Sequence, residues 1–160
     1  MMTETAITSR ELTVEGEHLI GKFTGDERGA TLVAVGSVHG NEPSGATALR
    51  KIARQLENLR AKLRGRVYFL AGNTRALARG VRFTGADLNR HWTSENIARN
   101  GSNGVPAIAE DYEQSELLKI FGEILTTART EVYALDLHST SAAGLPFCSC
   151  SALPPIARTV

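Results

Sequence analysis

Apolar residues are distributed along this 160-residue chain in two patterns, and each predicts an element. Ala30 to Val38 (ATLVAVGSV) is a nearly continuous β-branched and small apolar run, the pattern of a strand covered on both faces. Residues 66–71 (RVYFLA) and 131–137 (EVYALDL) repeat it more briefly and read as further buried strands. His18 to Phe23 reads as a short strand, separated from the run at Ala30 by the turn-rich Thr24-Gly25-Asp26-Glu27-Arg28-Gly29. Elsewhere the spacing changes to steps of three and four. Ala46, Leu49, Ile52, Ala53, Leu56, Leu59 and Leu63 form one apolar stripe, with Arg50, Lys51, Arg54 and Glu57 on the wet side. Pro43 opens this helix and Gly65 stops it. Leu117, Leu118, Phe121, Ile124, Leu125 and Ala128 mark a second amphipathic helix over 110–129.

Residues 73–109 read as mostly irregular. Gly80, Gly85, Gly101, Gly104 and Pro106 interrupt them, and so long an irregular stretch in a compact domain points to function. Leu145 to Cys150 reads as a last strand. The order β-β-α-β-loop-α-β-β predicts an α/β fold, a three-layer α/β/α sandwich around a mixed, mostly parallel sheet.

Composition narrows the function. Apolar residues make up 42% and charged residues 22%, which excludes a disordered chain, collagen and coiled coil. A net charge of +1 gives no bulk field for nucleic acid or an anionic membrane. The length fits a single domain, 1–160. No apolar stretch is long enough to span a bilayer, and Met1 to Arg10 has no signal core. Two cysteines, Cys148 and Cys150, cannot build a disulfide framework, so a cytoplasmic protein is expected. Cys148-x-Cys150 is read as alternation in a buried strand rather than half of a thiolate site.

The chemistry concentrates at two places. In Gly36-Ser37-Val38-His39-Gly40-Asn41-Glu42-Pro43, His39 follows a buried strand and Glu42 falls in the first turn of the next helix. Ligands of open α/β sheets bind at the carboxyl ends of strands, and Gly40 permits the sharp turn that lets both side chains converge. An imidazole and a carboxylate suit zinc, but a catalytic zinc takes three protein ligands. Asp136-Leu137-His138-Ser139 ends another buried strand and supplies a third candidate, His138. The second place is Arg79 to Arg90, where arginines, an amide and a carboxylate share a Gly-rich loop suited to gripping a carboxylate. His18 is read as a strand or surface residue and His91 as a flank of that loop.

Taken together, HGNE (39–42) with its small followers, the Asn73 region, Arg82 with DLNR (87–90), and DLHST (136–140) resemble the succinylglutamate desuccinylase and aspartoacylase family of the zinc carboxypeptidase superfamily. The four motifs occur in the family's order over residues 30–150. The resemblance implies a zinc carboxypeptidase-like fold and one zinc per chain, held by His39, Glu42 and His138. It implies that Asp87 orients a ligating imidazole, that Arg82 polarises the scissile carbonyl, and that Asn89 and Arg90 hold a substrate carboxylate. The implied reaction is water attack on the amide of a small-molecule N-acyl amino acid. The family also uses a glutamate general base well beyond the third ligand; here none of the 22 residues after His138 is Asp or Glu. The chain is therefore expected to be an incomplete, truncated zinc-hydrolase catalytic domain, weakly active or inactive by itself. A carboxypeptidase-like zinc peptidase and a catalytically dead zinc-binding module stay open as alternatives, as does a homo-oligomer. A serine hydrolase built on Ser37 or Ser44 lacks the G-x-S-x-G elbow, and no Gly-rich loop fits a nucleotide.

Overall fold

The computed structural model describes residues 16–57, 63–101, 104–140, 145 and 148–149. Four strands, β1 (Leu19–Thr24), β2 (Asp26–Gly36), β3 (Arg64–Ala71) and β4 (Val132–Leu137), lie in the order β1-β3-β2-β4. β1 runs antiparallel to β3, whereas β3, β2 and β4 are mutually parallel. The sheet is thus mixed and mostly parallel, as expected.

Alternation along the strands builds two cores. Val33, Tyr68 and Leu70 face one side and join Leu88, Leu117 and Ile124, with Trp92 and Phe121 packed against them. Ala34, Val67 and Phe69 face the other side and join Phe23 and Leu49, with Ala53 and Leu56 against them. Helix α1 (Ser44–Glu57) covers the second face and α4 (Ala109–Thr127) the first, which gives the three layers. The fit of α1 is close. A Cβ on Gly36 would lie 2.5 Å from the backbone of Gly45 and Ala46, so the first turn of α1 rests directly on the end of β2.

Several expectations are corrected. The stretch 73–109 is not wholly irregular: it contains α2 (Thr74–Arg79), a 3-10 turn (Leu88–Arg90) and α3 (Ser94–Gly101). Gly65 does not stop a helix. It lies inside β3 with φ of +94°, beside the shift in β2 register between Asp26 and Thr31. Ile52 and Leu125, counted in the apolar stripes, are exposed. β4 is not a buried strand, because β2 is its one partner in the sheet among the described residues, and Tyr133 and Leu135 are exposed. Cys148 is exposed rather than buried. The strand expected at Leu145 to Cys150 falls largely outside the described residues.

Candidate metal centre

The three ligand candidates meet because two parallel strands end level. Gly36 pairs with Leu137, so the residues just past β2 and β4 emerge side by side. Ser37 bends the chain there with φ of +61°, a left-handed conformation that costs a non-glycine residue roughly 1–3 kcal/mol. Its hydroxyl donates to the Glu42 carbonyl oxygen at 2.9 Å, tying the turn into a loop that brings Glu42 back over His39. Gly40 sits at the crest. Its N–H donates to the Arg82 carbonyl oxygen, and a Cβ there would lie 2.2 Å from the backbone of α2.

Within this turn, His39 Nδ1 lies 2.9 Å from Glu42 Oε1, and His138 Nδ1 lies 3.2 Å from Glu42 Oε2. One donor atom from each of the three residues falls within 4.8 Å of the other two. The outer ring nitrogens are engaged elsewhere: His39 Nε2 is 3.1 Å from Asp87 Oδ1, and His138 Nε2 is 2.8 Å from Asp136 Oδ2. A metal ion at the centre would take the two Nδ1 lone pairs, and each Nε2–H would then go to the carboxylate behind it. Two imidazole nitrogens and a carboxylate converging on one point, with carboxylates behind both rings, form a donor set that fits zinc.

The electrostatics follow from these contacts. Burial raises the Glu42 carboxyl pKa, but the Ser139 N–H at 2.8 Å and the two imidazoles outweigh it and hold the pKa below its ordinary value. Burial likewise raises Asp87, and His39 and Arg82 reverse the shift. At His138 burial disfavours the charged ring, yet Asp136 and Glu42 outweigh it and raise the pKa.

Arg82 leans over the cluster. Its Nη2 is 2.9 Å from His39 Nε2 and 3.3 Å from Asp87 Oδ2, and its Nη1 is 3.6 Å from Glu42 Oε1. Where His39 Nε2–H goes to Asp87, the guanidinium donates to the Asp87 carboxylate; in the other tautomer it donates to the ring nitrogen. Asn89 and Arg90 lie on the 3-10 turn capped by the Asp87 side chain, which accepts from Asn89 N–H. Both are exposed, and no contact among the described residues ties their side chains to the triad. Asp136 was not singled out from the sequence. The signal was there: it stands two residues before His138, on the same side of the extended chain.

His91 flanks the Arg79–Arg90 loop as expected, capping its 3-10 turn, whereas His18 is not a surface residue. His18 is buried, with Nδ1 donating to the Ala71 carbonyl oxygen and Nε2 beside Glu116 and Glu113. His91 is buried against Asp111 at 2.8 Å. No helix among the described residues is long and apolar enough to cross a membrane.

The sequence profile of the succinylglutamate desuccinylase/aspartoacylase catalytic domain matches residues 28–157. A succinylglutamate desuccinylase from Pseudomonas paraeruginosa is 27% identical over 113 residues, covering 71% of this chain and 32% of that protein. One from Pseudomonas fluorescens (strain Pf0-1) is 30% identical with the same coverage. The chain thus spans about a third of the length of these curated relatives. Among solved structures, the succinylglutamate desuccinylase of Chromobacterium violaceum aligns with a TM-score of 0.54 at 24% identity, covering 69% of this chain and 33% of that one. The Vibrio parahaemolyticus structure gives 0.54 at 19% identity, covering 71% and 32%. These structures share the fold.

Proposed function

We propose, on the premise that the chain belongs to the succinylglutamate desuccinylase/aspartoacylase family, that it is the zinc-holding part of an N-acyl amino acid deacylase. The observation that carries this reading is the inward convergence of His39 Nδ1, His138 Nδ1 and the Glu42 carboxylate at the level ends of β2 and β4. Zinc, when bound, supplies a Lewis acid that polarises an amide carbonyl and acidifies water. The protein's own groups do the rest. His39, Glu42 and His138 hold the ion, while Asp87 and Asp136 fix the two rings from behind. Arg82, whose side chain is 48% exposed, presents its guanidinium to the charge that builds on the carbonyl oxygen during attack. Asn89 and Arg90, exposed beside Asp87, offer an amide and a planar two-donor fork to a substrate carboxylate.

The carboxylates around the triad already have partners. Glu42, Asp87 and Asp136 each face an imidazole, so none of them is assigned as acceptor of the water proton. The reading therefore expects zinc uptake by this chain, with proton transfer dependent on a further carboxylate. That same observation favours the second reading, a zinc-binding module without turnover.

Zinc titration of the metal-free chain against a chromophoric chelator tests the first part, with one zinc per chain expected. His39→Ala with His138→Ala should abolish uptake, because one carboxylate cannot hold the ion. Stoichiometric zinc in the double variant would sink the site. Release of amino acid from N-succinylglutamate and N-acetylaspartate by the zinc-loaded chain then separates deacylase from silent module. Release from peptides but not from acyl amino acids would favour a carboxypeptidase-like enzyme.

A further inference from the structure

The segment that carries Arg82 and Asp87 is a coil without a regular backbone ladder of its own, yet Arg82 and Asp87 must be placed to within a fraction of an ångström of His39. Its order comes from α4. Glu110, in the first turn of that helix, is fully buried and has five donors on its two oxygens. Oε1 accepts from Thr84 N–H at 2.7 Å, Thr84 Oγ1 at 2.9 Å and Asn73 Nδ2 at 3.1 Å. Oε2 accepts from Gly85 N–H at 2.9 Å and Ala86 N–H at 3.1 Å. Three successive backbone amides therefore close on one carboxylate, directly between Arg82 and Asp87. The Asn73 N–H in turn donates to the Ser37 carbonyl oxygen, two residues before His39. One side chain thus links the loop behind His39 to the strand end that carries it.

We propose that Glu110 is a positioning residue for the metal centre: by gathering the amides of residues 84–86 it sets Asp87, and through Asp87 the orientation of His39. Burial disfavours the Glu110 carboxylate, and these N–H groups reverse that and keep its pKa below the ordinary value. The carboxylate is thus present to accept. The charge and both oxygens matter. In Glu110→Gln, whichever way the amide is turned, its NH₂ faces at least two donors.

The test compares Glu110→Gln with Asp111→Asn, its neighbour on α4. Asp111 is equally buried but accepts from Asn100, Arg99 and Ala107 N–H and lies against His91, so it anchors α3 and His91 and makes no bond to residues 84–86. The first readout is amide exchange without metal. Glu110→Gln should speed exchange at Thr84, Gly85 and Ala86 by at least about tenfold, as loss of bonds to a buried charge implies. Asp111→Asn should leave those amides at the wild-type rate.

The second readout is zinc affinity, and this arm rests on the deacylase reading. Glu110→Gln should lose about tenfold, the usual size for disturbing the groups behind a ligand, and Asp111→Asn should not. A role limited to stability would lower both affinities together at matched loss of folding. Unchanged loop exchange in Glu110→Gln, or equal zinc loss in the two variants, would overturn the proposal. A wild-type chain that takes no zinc would remove the deacylase reading, while the exchange rates would still decide the role of Glu110 in the loop. If Glu110→Gln does not fold, Thr84→Val deletes one of the five donors. It should raise exchange at Gly85 and Ala86 by about threefold, the low end for loss of one hydrogen bond, and no change there would be fatal.

Discussion

Two regions of this protein are built from the same side chains and do opposite things. At the ends of β2 and β4, two imidazoles face one carboxylate. Beside the first turns of α4, His18 faces Glu113 and Glu116, and the donor atoms there are also within 4.8 Å of one another. The difference is the supply of protons. Glu113 accepts from Thr74 N–H, the Thr74 hydroxyl, Arg75 N–H and the Arg75 guanidinium, and Glu116 takes two further bonds from Arg75. That cluster is complete. In the triad, among the described residues, the main chain offers the Glu42 carboxylate a single hydrogen bond, from Ser139, while the outer nitrogens lie against carboxylates that can only accept. Apart from the two imidazoles and the more distant Arg82, little meets the Glu42 carboxylate among the described residues. Proximity of metal-ligating atoms is shared by both places; a shortage of donors distinguishes the one suited to a cation.

Acidification should break the α4 side of this comparison most severely. Burial raises the carboxyl pKa values of Glu110, Asp111 and Glu116. Thr84 N–H and Asn73 reverse this for Glu110, His91 and Asn100 for Asp111, and Arg75 and His18 for Glu116, so all three end below their ordinary values. A carboxyl whose pKa is lower folded than unfolded stabilises the fold above its unfolded value and loses that contribution as pH falls through the folded one. Stability measured by urea denaturation should therefore fall steadily below the ordinary glutamate value of 4.5, while His138, whose pKa is raised, adds a separate loss as pH climbs past its ordinary value of 6.5. A urea midpoint unchanged between neutral pH and that acid range would refute the account.

Glu113→Ala isolates one part of that loss. It leaves the Thr74 N–H and hydroxyl and the Arg75 N–H without their acceptor, while the guanidinium keeps Glu116, and leaving buried donors unmet costs about 1–3 kcal/mol. Guanidinium chloride titration checks it, and a cost under about 1 kcal/mol would mean the cluster is decoration. On the triad side, Asp136→Asn turns a pure acceptor into a group that can offer His138 an N–H, so the ring loses its fixed tautomer. Zinc affinity should fall by about tenfold, the low end for such outer partners, since Asp136 is half exposed. Equal affinity would leave His138 oriented by Glu42 alone. The smallest effect is expected at Ser37. Ser37→Gly relieves its left-handed backbone but loses the bond to Glu42, whereas Ser37→Ala loses the bond and keeps the strain. Thermal melts should place Ser37→Gly above Ser37→Ala by about 1 kcal/mol, and the reverse order would show that the turn is unstrained.

The triad was legible in the sequence because strand ends and a short H-x-x-E turn are local signals, and the parallel sheet then supplies the meeting point. The anchors were not. Glu110, Asp111 and Glu113 look like ordinary acidic residues at the start of a wet helix, and nothing local shows that Thr74, residues 84–86 and His91 converge on them. For the same reason α2 and α3 were missed: at six and eight residues they are too short to show a period, and their order comes from these distant carboxylates. The buried partners of His18 and His91 were not legible either, because they lie 98 and 20 residues away. β4 carries the composition of an interior strand, but composition does not say how many neighbours a strand will have.

The level ends of β2 and β4 also fix a sequence of events. His39 and Glu42 are close along the chain, but His138 stands 96 residues beyond Glu42 and reaches it only when β4 docks on β2. Closing a loop of that length is slow and entropically costly compared with forming α1 or the β2–β3 pairing. During synthesis or refolding, the nascent chain therefore presents two ligands long before it presents three. If the triad holds zinc as proposed, capture of the ion is a late, concentration-dependent step whose rate reports when β4 has paired with β2.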